Sequence, residues 1–158
     1  MSNAAHKTSS DRAMDVVRGY VDHDGVAVRE ALDSLDTAGS LEVHAILNGL
    51  VRSTISIMEL TGRPFALEDL VRQADAVATV APLHYELAVS EATRAWARGD
   101  QSAMRAVSCR DPTGAVHITA VGVVVLGLAL WGRTGFLDVL AEFHEAATVL
   151  TEEWPSGA

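Results

Sequence analysis

Cysteine is nearly missing from this chain of 158 residues: Cys109 stands alone, so no intramolecular disulfide can form and no Cys-x-x-Cys pair exists for zinc or redox chemistry. Lysine is as scarce, Lys7 being the only one. With a formal charge of -9 and no local run of arginines, the chain lacks the basic stripe that counterion release from nucleic acid requires. A basic, then apolar, then small-residue export signal is also missing from the N-terminus, which points to a cytoplasmic protein. Aromatic residues make up only 5%, so the few large rings are the natural anchors, and Tyr20, Trp96 and Trp131 fit as core or interface residues.

Catalytic constellations are lacking as well. Gly-x-Ser-x-Gly does not occur, and Cys109 has only Arg110 beside it to favour a thiolate, so it reads as a small filler near a helix end. None of the six histidines has another at i+3 or i+4, and neither His-Glu-x-x-His nor Glu-x-x-His is present. We therefore expect no metal, no cofactor and no catalytic residue. Glu68-Asp69 and Glu152-Glu153 read as first-turn and tail solvation, because adjacent helical residues do not share a face.

What the chain does contain is helix. From Asp11 onward apolar residues recur at three- and four-residue spacing, whereas sustained alternation with turn dipeptides is missing. The pattern predicts eight helices near 12–22, 25–35, 41–60, 66–80, 84–98, 101–109, 112–132 and 137–153, an all-α fold. Asp24, Ser40, Asp100 and Asp111 are candidate N-caps, Pro112 suits a first helical position, and Gly62 and Gly135 are candidate stops. Residues 1–10, small and polar, read as a disordered tail or expression scar.

The two halves align with each other. At an offset of 76, Arg18, Tyr20 and Asp24 match Arg94, Trp96 and Asp100; at 73, His44, Gly49 and Thr61-Gly62 match His117, Gly122 and Thr134-Gly135; at 70, Leu67 and Leu70 match Leu137 and Leu140. The order is collinear and both gaps fall in predicted loops, which is the signature of a tandem duplication. Unit 1 then spans 11–82 and unit 2 spans 83–154, fused into one globular domain, with Thr79 to His84 as the junction. The unit combines a short arginine-bearing helix, a long apolar helix and a Thr-Gly turn before its last helix. In this it resembles small actinobacterial all-helical proteins of unknown function, a likeness that implies a helical fold and carries no activity.

The long helix of each unit is the most informative pair. In the first, Val43, Ile46, Leu47, Leu50, Val51, Thr54 and Met58 share one face, with Asn48, Arg52, Ser56 and Glu59 on the other. In the second those polar positions become Val121, Val125, Ala129 and Gly132. Such a helix demands burial on all sides: it approaches the length of a membrane span but carries His117 and Thr119, so a central helix is expected, or one that supplies an apolar homodimer interface. His44 falls inside the apolar face, and His117 repeats it. If the long helices pack about a two-fold axis, His44 and His117 face a shared central space, and with Tyr20 and Trp96 they form the candidate ligand-binding set.

Three function classes follow, an enzyme being what is left after the first two. The first is a non-enzymatic protein-interaction or scaffold module acting as a homodimer or with a protein partner. The second is a small-molecule binding or sensor module with its pocket between the two repeat units.

Overall fold

Thr8 starts the helical array: its hydroxyl accepts from the Asp11 N–H at 3.1 Å while its own N–H donates to the Asp11 carboxylate at 3.0 Å, a capping box that satisfies two otherwise free amides. Helix α1 (Ser9–Val21) therefore begins inside the stretch read as tail. The computed structural model describes residues 7–62, 67–100, 102 and 111–153. After α1 come α2 (Gly25–Ala31), α3 (Thr37–Thr61), α4 (Leu67–Ala78), α5 (Leu83–Ala97) and α6 (Pro112–Glu153). The fold is all-α, with six helices and no strand among the described residues, against the eight expected. The predicted helix over 101–109, with Cys109, lies outside the described residues, and the last two predicted helices run on from one another within α6.

Several boundaries moved for identifiable reasons. Asp36, not Ser40, caps α3 by accepting from the Gly39 N–H at 2.7 Å; Ser40 is buried within the first turn. Asp24 caps α2 through the Ala27 N–H, and Asp111 accepts from the Thr113 N–H at the start of α6. Gly62 closes α3 at φ 62°. In the second half the break falls at Gly132 rather than Gly135: Gly132 adopts φ 72°, ψ 175°, an extended left-handed region open essentially to glycine alone. The chain turns sharply there. Phe136 folds back until its ring occupies the place where a Cβ on Gly127 would stand, within 2.3 Å of it, and lies parallel to the Trp131 ring at 6.1 Å.

The turns after α1 and α5 are built alike. After α1, the N–H groups of Asp22, His23 and Asp24 donate to the carbonyls of Arg18, Tyr20 and Gly19; after α5, those of Arg98, Gly99 and Asp100 donate to Arg94, Trp96 and Ala95. His23 and Gly99 both hold positive φ, 53° and 70°.

The core runs between α3 and the first arm of α6. Val51 lies against Gly122, and Met58 clusters with Leu126 and Leu130; contacts that advance together along both helices mean that the two run in the same direction. Around this pair, α1 packs on α2, α3 and α6, while α5 and α4 pack on each other and on α6. Val121 and Val125 are buried and Ala129 half-buried, as the missing polar face of that helix requires. Among the described residues α6 alone is long and apolar enough to cross a membrane, and 67% of its most apolar stretch is buried inside this fold.

Candidate ligand cavity

Helix α3 packs broadly on α6 but makes no substantial contact with α4 or α5. The gap is a cleft of about 320 Å³, at the small end of the range for ligand sites. Val51 on α3, Leu70 and Ala74 on α4, Ala92 on α5, and Val121 and Val125 on α6 supply its apolar walls. Its polar groups come from three helices: His44 and Asn48 on α3, Thr93 and the Trp96 indole on α5, and Thr119 on α6. Among the described residues no Asp, Glu, Lys or Arg lines it.

The hydrogen-bonding capacity of this wall is unevenly committed. Thr93 and Thr119 each donate their hydroxyl proton to a carbonyl one turn back on their own helix, Val89 at 2.9 Å and Ala115 at 2.8 Å, so toward the cleft they can only accept. His44 and Asn48, one turn apart and therefore side by side on α3, form no side-chain hydrogen bond to any described residue. Burial lowers the His44 pKa below its ordinary value, which keeps the ring neutral, with one nitrogen to donate and one to accept.

The four residues expected to share a site fall into two pairs. His44 and Trp96 meet on the cleft. His117 and Tyr20 meet on the far side of the α3–α6 pair, where the Tyr20 hydroxyl and His117 Nδ1 share a hydrogen bond of 2.7 Å and both side chains are fully buried. A common central space for the two histidines is thus not what forms. The helices that carry them run in parallel, so at the same level one imidazole is directed toward α4 and α5 and the other toward α1. Tyr85 covers the second ring at a centroid distance of 4.9 Å and donates its hydroxyl to the Asp111 carboxylate. Burial, reinforced by nearby His84, holds the His117 pKa down to about 4; burial raises that of Tyr20, and burial with the Asp111 bond pushes Tyr85 up to about 12.

Asn48, Thr93 and Thr119 were not singled out by sequence. Asn48 sits on the polar side of the α3 wheel, yet it is half-buried because the cleft reaches around the helix. Its position one turn after His44 was the available clue. Among the described residues no three His, Cys, Asp or Glu side chains converge in a way that could hold a metal ion. Comparison with protein-family models, with curated proteins and with solved structures finds no match to this chain.

Proposed function

We propose that this protein binds a small molecule in the cleft between α3, α4, α5 and α6, in a chain that arose by tandem duplication. The observation that carries the binding reading is the cleft itself: an apolar cavity whose polar groups converge from three helices while His44 and Asn48 have no partner within the described protein. Apolar walls supply affinity and a few placed polar groups supply orientation, which is the usual make-up of a ligand site.

Duplication is supported by the matching turns after α1 and α5, whose three hydrogen bonds recur at the same offset of 76 that relates Tyr20 to Trp96. It is supported again by reciprocity: Tyr20 of the first unit meets His117 of the second, and Trp96 of the second shares a cleft with His44 of the first. A two-fold relation between units produces that crossed pairing.

Native mass spectrometry of freshly purified protein, alongside Ala92→Leu to fill the cleft, tests the binding reading. The parent is expected to retain a small molecule at one per chain and Ala92→Leu to lose it. A parent that carries nothing and is not stabilised in thermal melting by saturating benzene, which enters apolar cavities of this kind, overturns it.

A second reading, a homodimer or a partner-binding scaffold, rests on Leu83 and Leu87. They lie one turn apart on α5 at 88% and 68% exposure, a small apolar stripe of the sort that interfaces cover. Sedimentation equilibrium of the parent and of Leu83→Glu with Leu87→Glu decides it: a dimer that the double variant dissociates supports the interface, and a monomeric parent removes the homodimer.

A further inference from the structure

The two sides of the α3–α6 pair are related position by position, and only one of them is closed. His117 is held by Tyr20 and covered by Tyr85, and Val16, Val17, Tyr20 and Leu140 are each 1% exposed or less. The aligned counterparts of Val16, Val17, Tyr20 and Leu140 are Ala92, Thr93, Trp96 and Leu70, all of which line the cleft beside His44. Where the closed side has Val16 the cleft has Ala92, two methyl groups smaller, and Asn48 adds a donor and an acceptor to the cleft wall. The closed side also displays what an imidazole at this position receives: the hydroxyl of an aromatic ring, at 2.7 Å from Nδ1. On the open side Trp96 replaces that tyrosine and forms no hydrogen bond with His44.

We infer that the cleft takes a neutral aromatic molecule bearing a hydroxyl group, its hydroxyl placed against His44 and Asn48 and its ring against Trp96, Val51 and Val125. The inference rests on the ligand-binding reading above and specifies the ligand. Neutrality follows from the walls: an ion entering a cleft whose described lining carries no counter-charge forfeits hydration without a partner to replace it. The hydroxyl follows from unmatched capacity, since a neutral imidazole and a carboxamide side by side can both donate to and accept from one O–H. The ring follows from shape and surface, an indole face and valine methyls being suited to offset stacking and dispersion contact.

Isothermal titration at pH 7.5 with four probes on one ring system tests this: 2-naphthol, naphthalene, 2-naphthoate and 2-naphthylmethylammonium. We expect 2-naphthol to bind most tightly and the two ions to bind at least tenfold more weakly. In His44→Ala with Asn48→Val, where valine is the residue at the aligned position 121, 2-naphthol is expected to weaken by about three- to tenfold, the worth of one net hydrogen bond, while naphthalene keeps its parent affinity. Ala92→Val, which restores the closed side's residue, is expected to weaken all probes. An ion that matches 2-naphthol, or 2-naphthol binding unchanged in the double variant, leaves the cavity standing and overturns the ligand class. Failure of all four probes to bind the parent overturns both.

Discussion

Tyr20 and His117 form the most deeply buried polar contact among the described residues, and its energetics can be read from solution measurements. Tyr20→Phe leaves the ring packing intact but strands a nitrogen of a histidine only 2% exposed. An unsatisfied buried group of that kind costs about 1–3 kcal/mol, which a urea titration of parent and variant will read as a lower midpoint at unchanged slope. The same histidine makes stability depend on pH. Its folded pKa is held at about 4, whereas the unfolded chain takes up a proton below about 6.5. The unfolded state therefore binds more protons between those values, so stability is full above pH 6.5 and is lost as pH falls toward 4, by on the order of 3 kcal/mol. His44, also lowered by burial, adds a contribution of the same sign. Melting from pH 7.5 to 4.5 is expected to show a shallower decline in His117→Gln than in the parent; parallel curves would assign the decline to other groups. At this scale the four residues that the sequence placed in one set stand as two separate pairs, His44 with Trp96 and His117 with Tyr20. A helical wheel assigns each side chain to a face, but which neighbour that face meets depends on helix direction, and it was the parallel run of α3 and α6 that sent His44 and His117 to opposite sides.

Among the elements, α6 carries the least replaceable local geometry. Gly132 occupies a backbone region that a Cβ makes costly, and Gly132→Ala is expected to destabilise by about 1–3 kcal/mol. Gly127→Ala acts differently: its methyl would land 2.3 Å from the Phe136 ring, and that ring is itself buried and backed by Trp131. We expect a comparable or larger loss, partly restored by Phe136→Leu in the same chain, because overpacking is relieved by a smaller partner. Chemical denaturation of the four variants, Phe136→Leu alone included, checks both, and additivity between Gly127→Ala and Phe136→Leu would sink the contact explanation. Helix existence was plain from periodicity, since every described helix has a predicted one at its place. Boundaries were less so. Asp36 and Ser40 are equally competent caps four residues apart, and local chemistry gives no reason to prefer one; burial of Ser40 against the core decides. Likewise Thr134-Gly135 copies the Thr61-Gly62 stop in sequence, yet Phe136 needs the bend three residues earlier to reach Gly127.

Over the described residues, the first half meets the second at two separate places. Helix α4 packs on α5, with Asp75 paired to Arg94 at 3.1 Å; the second arm of α6 returns to α1, with Arg133 on Asp22 at 2.6 Å and His144 bonded to Asp11. The two arginine pairs are largely solvent-exposed and contribute little energy individually, but with the part-buried His144–Asp11 bond they mark how each half leans on the other. We expect one unfolding transition, with far-UV circular dichroism and tryptophan fluorescence coincident in urea, and no stable fold in residues 7–82 alone. A folded half, or two separated transitions, would show that the units stand independently. The return of α6 to α1 also has a meaning in time. Asp11 leaves the ribosome long before His144 is translated, and domains of this size assemble as units once their parts are available. Met14, Val17 and Tyr20, buried in the finished fold, gain cover first from α2 and α3 and fully only when α6 is made, and the Tyr20 hydroxyl waits for His117, 97 residues downstream.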